Sequence, residues 1–228
     1  RMPWWYEQFG LASKPGTGLP EEITGKIGVT GKALEHNQVC FMAIGQGPVS
    51  CTPLQAATAY MRLASGDLTM QPRLVVSPEV GQPLVGGGPR IADAHRRVVL
   101  EGMRQSANAS IGTTHHINHP ASGLRNELIF NVQGATVMAK SGTADPGNTR
   151  WIDFNRNGKV DEGEVERNPR DHAWVIALVQ PDGAAEPTHA IACVVEYAGS
   201  GGRVAGPVVN QIIHALQRHE YLQWPPTR

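Results

Sequence analysis

The chain has 228 residues, with 20 basic and 20 acidic side chains and a charged fraction of 18%. That balance excludes a surface-wide attraction to nucleic acid or an anionic membrane. A hydrophobic fraction of 40% fits a globular chain with one sizeable core, or two small ones, and not a disordered one.

The longest apolar run, Ala173 to Val179, is far too short to span a bilayer, and no signal peptide is visible. The first residue is Arg1, which fits an upstream portion removed or left out. Cys40, Cys51 and Cys193 form no C-x-x-C pair and no metal spacing. Cys40 and Cys193 stand in apolar stretches and are expected to be buried small hydrophobes.

Met2 to Phe9 carries Trp4, Trp5 and Tyr6, expected as a helix packing onto a core in preference to a ligand-stacking platform. Pro15 to Glu22 reads as a loop. A better-defined helix follows Ala43-Ile44-Gly45-Gln46-Gly47. Thr52 is its N-cap, Pro53 suits the first helical position, and Gln55 completes a capping box. Leu54, Ala57, Met61 and Ala64 recur at helical spacing, and Gly66 suits the end. Residues 69–92 read as short strands or an extended excursion with a Gly86-Gly87-Gly88 turn, and a second helix as Asp93 to about Gln105. Residues 106–126 are polar and carry His115, His116 and His119. No carboxylate or cysteine completes a metal spacing there, so a solvated loop is expected.

Ile129 to Ala139 reads as a strand, with Val132, Thr136 and Val137 as β-branched residues. It runs into Lys140-Ser141-Gly142-Thr143. Lys140 offers a positive charge, Ser141 and Thr143 offer hydroxyls, and Gly142 leaves room for close approach to the backbone. Such a strand end suits a ligand with a carboxylate and a reactive carbonyl. Ala173 to Val179 reads as a strand buried on both faces, Pro181-Asp182-Gly183 as a turn, and Ala190 to Tyr197 as another strand. After a glycine-rich turn at Gly199 to Gly202, a last helix begins near Pro207, with Val208, Val209, Ile212, Ile213 and Leu216 on one side. Turns between the last strands predict antiparallel pairing. The fold class is α+β, an antiparallel sheet flanked by helices.

These pieces stand in a recognisable order. They are Phe9-Gly10 with Thr17-Gly18-Leu19-Pro20, Ala43 to Gly47, Thr52 to Ala57 through Leu63-Ala64, and Glu101-Gly102-Met103. Ala139 to Ala144, His172-Ala173-Trp174 and Val194-Val195-Glu196 follow. Over nearly the whole chain apart from residues 145–171, it resembles the C-terminal portion of a penicillin-binding protein transpeptidase domain, class B and monofunctional. Lys-Ser-Gly is one of that family's three signatures, with S-x-x-K and S-x-N.

The resemblance implies a serine β-lactamase-like fold, incomplete at its N-terminal side, and serine acyl transfer that cross-links peptidoglycan stem peptides. The S-x-x-K serine attacks the penultimate D-alanine carbonyl, with the motif lysine as base. β-Lactams imitate D-Ala-D-Ala and trap the acyl-enzyme. Lys140 then holds the S-x-N serine and the substrate carboxylate, Ser141 and Thr143 hydrogen-bond that carboxylate, and the Thr143 N–H is an oxyanion-hole donor. No cofactor is needed for catalysis. The implied partners are the stem peptide, β-lactams and the N-terminal remainder of the same protein. The implied location is the outer side of the cytoplasmic membrane, with an anchor upstream. A non-catalytic penicillin-recognition or sensor domain is the alternative.

Two features depart from the family. No lysine has a serine three residues before it, so the chain is expected to be inactive alone. Ser106-Ala107-Asn108 is a formal S-x-N, but it stands after Glu101-Gly102-Met103, out of the family's order, and is read as a decoy on a helix end or loop. The second feature is an acidic insertion, residues 145–171. Residues 153–164 match D-x-[DN]-x-[DN]-G-x₅-E at every fixed position. Asp153, Asn155, Asn157, the Lys159 carbonyl, Asp161 and Glu164 supply oxygens at positions one, three, five, seven, nine and twelve, as in an EF-hand or dockerin-like loop. A structural Ca²⁺ is expected at the rim of the cleft. Pro146 and Gly147 do not support an entering helix, and Asn157-Gly158 is also a hairpin-turn signal. A calcium-dependent extracellular binding module would explain this loop and little else.

Overall fold

A computed structural model describes residues 2–28, 32–74, 89–119 and 124–223. The elements run α1 (Met2–Gln8), β1 (Lys26–Ile27), α2 (His36–Ala43), β2 (Val49–Ser50), α3 (Pro53–Ser65) and α4 (Asp93–Asn108). They continue with β3 (His116–His119), β4 (Leu124–Leu128), β5 (Ala135–Ala144), β6 (Thr149–Trp151) and β7 (Val165–Arg167). The last are β8 (His172–Pro181), β9 (His189–Val195) and α5 (Gly201–Arg218). No helix among the described residues is long and apolar enough to cross a membrane. The short strands expected over residues 69–92 fall mostly on 75–88, outside the described residues.

The core is a three-stranded antiparallel sheet in the order β5-β8-β9. The apolar run of β8 predicts burial on both faces; one face is fully buried, while on the other Leu178 is buried and Trp174 and Ile176, which border the cleft, are half-buried. On one face Ala173, Val175, Ala177 and Val179 join Val137 and Ala139 of β5 and pack on Ala205, Val209 and Ile213 of α5. On the other face Leu178 and Met138 meet Ala64, Leu100 and Met103 of α3 and α4. Each fully buried valine, leucine, isoleucine or methionine side chain contributes about 1.5–3 kcal/mol. The arrangement is helix, sheet, helices, an α+β layering.

Local signals set α3 as predicted. Thr52 Oγ1 accepts from the Gln55 N–H at 3.2 Å, and Gln55 Oε1 accepts from the Thr52 N–H at 2.8 Å. Gly66 ends the helix at φ 72°. Its buried face is shifted, however. Gln55, Ala56, Thr58, Ala59 and Ala64 are buried while Leu54 is exposed. Gln55 can turn inward because its amide also donates to the Ser13 carbonyl at 2.6 Å.

Several expectations are corrected. The strand before the lysine is Ala135–Ala144, not Ile129 to Ala139. Gly134, at φ 73°, turns the chain just before it, and ten consecutive pairs with β8 carry the strand through Lys140-Ser141-Gly142-Thr143. The helix α4 runs three residues beyond Gln105, to Asn108. The expected solvated loop instead holds the antiparallel hairpin β3–β4. The strand β9 stops at Val195, because Tyr197 takes a left-handed φ of 53°. The helix α1 forms, but Trp4 and Trp5 are exposed and stack edge-on against each other at 4.8 Å, not on a core. Cys40 is exposed, while Cys193 packs half-buried on the core.

The last helix begins at Gly201 with Pro207 inside it, because the glycines are its seat and not a turn before it. A Cβ on Gly201 would run into the carbonyl oxygens of Gly142 and Trp174, and one on Gly202 into that of Thr113. Gly201→Ala should therefore lower stability by roughly 1–3 kcal/mol or more, read as a drop in the denaturant midpoint. Gly199→Ala, where a Cβ has open space but φ is 89°, should cost only about 1 kcal/mol.

Beneath α3 and α4, buried Arg96 donates to the Ala64 carbonyl and grips Glu186 through two bonds of 2.9 and 2.7 Å. The Arg96 hydrogen bonds hold the Glu186 carboxyl below its usual pKa. A lowered carboxyl stabilises above its unfolded pKa and loses that contribution as pH falls through the folded value. Wild type should therefore be more stable than Glu186→Gln at pH 7, by a modest amount because the carboxylate is half exposed. Urea midpoints between pH 7 and 3 should show this gap close below the ordinary glutamate range.

Candidate active site

The Lys140–Thr143 run lies on β5, which among the described residues pairs with β8 along one edge only. Its other edge carries backbone groups aimed away from the sheet. The Ser141 carbonyl accepts from Lys140 Nζ at 2.6 Å, and the Thr143 carbonyl accepts from Gln46 Nε2 at 2.7 Å. In an antiparallel strand the N–H and C=O of one residue point to the same side. The Thr143 N–H therefore also points to the free edge. The four residues predicted from the sequence thus stand together as one wall, with ammonium, hydroxyls and a free N–H.

That wall lines a cleft of about 510 Å³ with Ile44, Cys51, Tyr60, His172 and Trp174. Lys140 also borders a second, more apolar cavity of about 640 Å³ lined by Tyr60, Leu63, Val99, Met103 and Ser106. Gly142 faces Trp174 across the strands, where a Cβ would stand 3.2 Å from the Trp174 Cβ. The glycine keeps this rung close. Burial raises the pKa of the Cys51 thiol and the Tyr60 phenol, which keeps these two groups neutral at pH 7. Lys140 borders both cavities, and Asp145 and His172 also line the cleft.

Behind the wall a chain of hydroxyls braces Ser141. Its Oγ donates to Thr113 Oγ1 at 3.2 Å, and Thr113 Oγ1 lies 3.3 Å from Ser106 Oγ. Ser106 Oγ also meets the buried Thr114 Oγ1 at 3.0 Å. Ser106 is thus a helix-end residue, as the decoy reading expects. Asn108 caps locally, donating to the Arg104 carbonyl at 2.7 Å and to the Val137 carbonyl of β5 at 2.9 Å. At the other end of the cleft, His172 Nδ1 accepts from the Tyr197 N–H at 3.1 Å, and Arg150 stacks over the Tyr197 ring at 4.0 Å.

Sequence reasoning missed two contributors to this wall. Thr113 carries no signal in its spacing, since the α4 turn that delivers it depends on Gly112 passing close to the Ser106 and Gln105 carbonyls. Gln46 had one: a polar side chain between two glycines, both at positive φ, 76° and 75°.

The insertion is a hairpin, β6 against β7, with residues 153–164 as its loop. The Asp153 carboxylate accepts from the N–H groups of Asn157 at 3.1 Å and Gly158 at 2.9 Å. Asn155 and Asn157 donate their amides to Asp161 at 2.7 and 2.6 Å, which lowers the Asp161 pKa. Glu164 is only 4% exposed and accepts from the Phe154 and Asp161 N–H groups at 3.0 and 3.1 Å. Lys159 donates its N–H to the Asn157 side chain at 2.7 Å. The loop is closed on itself by these bonds. Among the described residues no three His, Cys, Asp or Glu side chains converge as a metal ion would gather them. That holds for His115 and His116 too, whose Nδ1 atoms lie 3.1 Å apart. The side chain of His119 lies outside the described residues.

Comparison with known proteins agrees with this geometry. Residues 1–214 match the family described as penicillin binding protein transpeptidase domain. The peptidoglycan D,D-transpeptidase MrdA of Salmonella typhimurium is 27% identical over 224 residues, covering 92% of this chain and 33% of MrdA. The chain thus spans about a third of the length of that relative. In fold it is similar to Pseudomonas aeruginosa PBP2, solved in complex with WCK 5153, at a TM-score of 0.68 and 24% identity over 99% of this chain and 46% of that one. It is also similar to penicillin-binding protein A of M. tuberculosis, solved as an imipenem acyl-enzyme complex. There the TM-score is 0.61 and the identity 23%, over 93% of this chain and 41% of that one.

Proposed function

The chain belongs to the penicillin-binding protein transpeptidase family, and on that footing we propose that it forms one wall of a D,D-transpeptidase site. The reaction is serine acyl transfer on peptidoglycan stem peptides ending in D-Ala-D-Ala, with β-lactams as trapping inhibitors. The observation that carries this reading is the Lys140–Thr143 run on a strand edge that lines the cleft. Lys140 holds the substrate carboxylate by charge. Ser141, braced by Thr113, and Thr143 add hydroxyl contacts. The Thr143 N–H stabilises the oxyanion, a contribution of about 2.7–4 kcal/mol where such donors have been removed. The nucleophile belongs to the N-terminal remainder of the domain, since no lysine here has a serine three residues before it. Residues 1–228 then form the C-terminal portion of the domain, working on the outer side of the cytoplasmic membrane.

Intact mass after exposure to a β-lactam tests this. An adduct should form on a longer chain extended upstream through an S-x-x-K motif, and not on residues 1–228. Lys140→Ala in the longer chain should slow acylation on the order of a hundredfold. No adduct on either chain would point to the non-catalytic recognition domain. An adduct on residues 1–228 would place the nucleophile within them.

We propose, second, that residues 153–164 take up a Ca²⁺ that orders the insertion beside the cleft. The oxygen pattern supports it, as does the donor set. Asp153, Asp161 and Glu164 are hard anionic ligands, and the Asn155 and Asn157 amides turn their oxygens inward by a simple flip. The ion would replace the N–H bonds that now hold the Asp153 and Glu164 carboxylates, and the Lys159 carbonyl completes the set. Calorimetry should give one site with a Kd on the order of 10⁻⁴ M or tighter, abolished by Asp153→Ala with Glu164→Ala. Absence of heat in the wild type would sink the idea.

A further inference from the structure

We infer that Gln46 is a positioning residue for the oxyanion donor, which rests on the transpeptidase reading above. Its side-chain amide bridges the free edge of β5 across 97 residues of sequence. Nε2 donates to the Thr143 carbonyl at 2.7 Å, and Oε1 accepts from the Asp145 N–H at 3.3 Å. Only one orientation of the amide serves both groups, because its nitrogen can only donate and its oxygen only accept. A neighbouring parallel strand would hold the same carbonyl and the same N–H, so Gln46 stands in for a strand where the sheet has none. The two bonds straddle Ala144 and fix the backbone on one side of the Thr143 N–H. The rung of Gly142 with Trp174 of β8, one residue earlier, fixes the other.

Gln46 is itself held. Its N–H donates to the Phe41 carbonyl at 2.9 Å, and Gly45 donates to Met42 at 2.9 Å. Met42 is fully buried, and its carbonyl accepts from the Tyr6 hydroxyl at 2.6 Å. Gly45 and Gly47 both adopt the left-handed region, where a side chain would be strained. The turn therefore has one purpose legible in its geometry: it presents a single amide to β5 from a rigid base. A donor nitrogen must stand about 2.7–3.1 Å from the position the developing oxyanion takes. A misplacement of about 1 Å can cost roughly 100-fold in rate.

The test uses the longer chain and two variants. Gln46→Met keeps the length and removes both hydrogen bonds. Gln46→Glu sets a carboxylate against the Thr143 carbonyl at neutral pH. Protonated, it again offers one O–H and one C=O. The β-lactam reaction is split into its binding constant and its acylation rate constant. We expect Gln46→Met to lower the acylation constant about 10- to 100-fold while the binding constant changes less than about threefold. The deficit of Gln46→Glu relative to wild type should shrink as pH falls toward about 4.3, the ordinary glutamate value, and that of Gln46→Met should not. Acylation of Gln46→Met at the wild-type rate would overturn the inference and leave the transpeptidase reading standing. So would a Gln46→Glu deficit that is unchanged with pH, even if the methionine variant fails to fold. A wild-type chain that never acylates would remove the transpeptidase reading, and this inference with it.

Discussion

The pairing of β5 with β8 is the constraint from which the rest follows. Ten consecutive rungs lock one edge of β5. They leave the other edge with its backbone groups turned outward, where Lys140, Gln46 and the cleft meet it. The strand β8 holds that position between α5 on one side and α3 with α4 on the other. A slip of β5 by one residue would carry its alternate side chains to the opposite face of the sheet, taking Val137 and Ala139 away from α5 and setting Lys140 against it.

The close seating of α5 is the second half of that constraint. Gly201 and Gly202 bring the helix against the backbone at Gly142, Trp174 and Thr113. The same contact aligns Thr113 behind Ser141, so the core and the site share one set of short distances. The hydroxyl chain through Ser106 and Thr114 satisfies groups that burial would otherwise penalise. Charge plays a restricted part. The paired ions, Arg96 with Glu186 and Arg104 with Glu101, serve helix packing and the helix surface, whereas Lys140 stands exposed at the cleft, which Asp145 and His172 also line.

Most of what sequence reasoning found is local. Thr52, Pro53, Gln55 and Gly66 announce α3 because every partner in a cap lies within four residues. The apolar run in β8 likewise announces a core strand from one short segment. What it misjudged is where neighbours in space overrule neighbours in sequence. The apolar residues before Gly134 suggested a strand from Ile129, but Ile129 donates to the His115 carbonyl beside the β3–β4 hairpin. Pro207 suggested a helix start, while the helix begins six residues earlier, where glycines fit against β5 and β8. Trp4 and Trp5 suggested a core contact, and they are exposed.

By itself the sequence determined which chemical groups are present and in what order. Lys140, Ser141, Gly142 and Thr143 follow one another along the chain, within residues 1–214 that match the family. It also determined the caps and the α+β alternation, since backbone dihedrals and side-chain periods are properties of short segments. Only the tertiary structure decided which edge of β5 is free, that Gln46 reaches across to it, and that Gly201 rather than Pro207 opens α5. The reason is physical. A residue's type states what bonds it can make, but which partner stands within 3 Å depends on how distant segments pack, and no spacing along the chain encodes that distance.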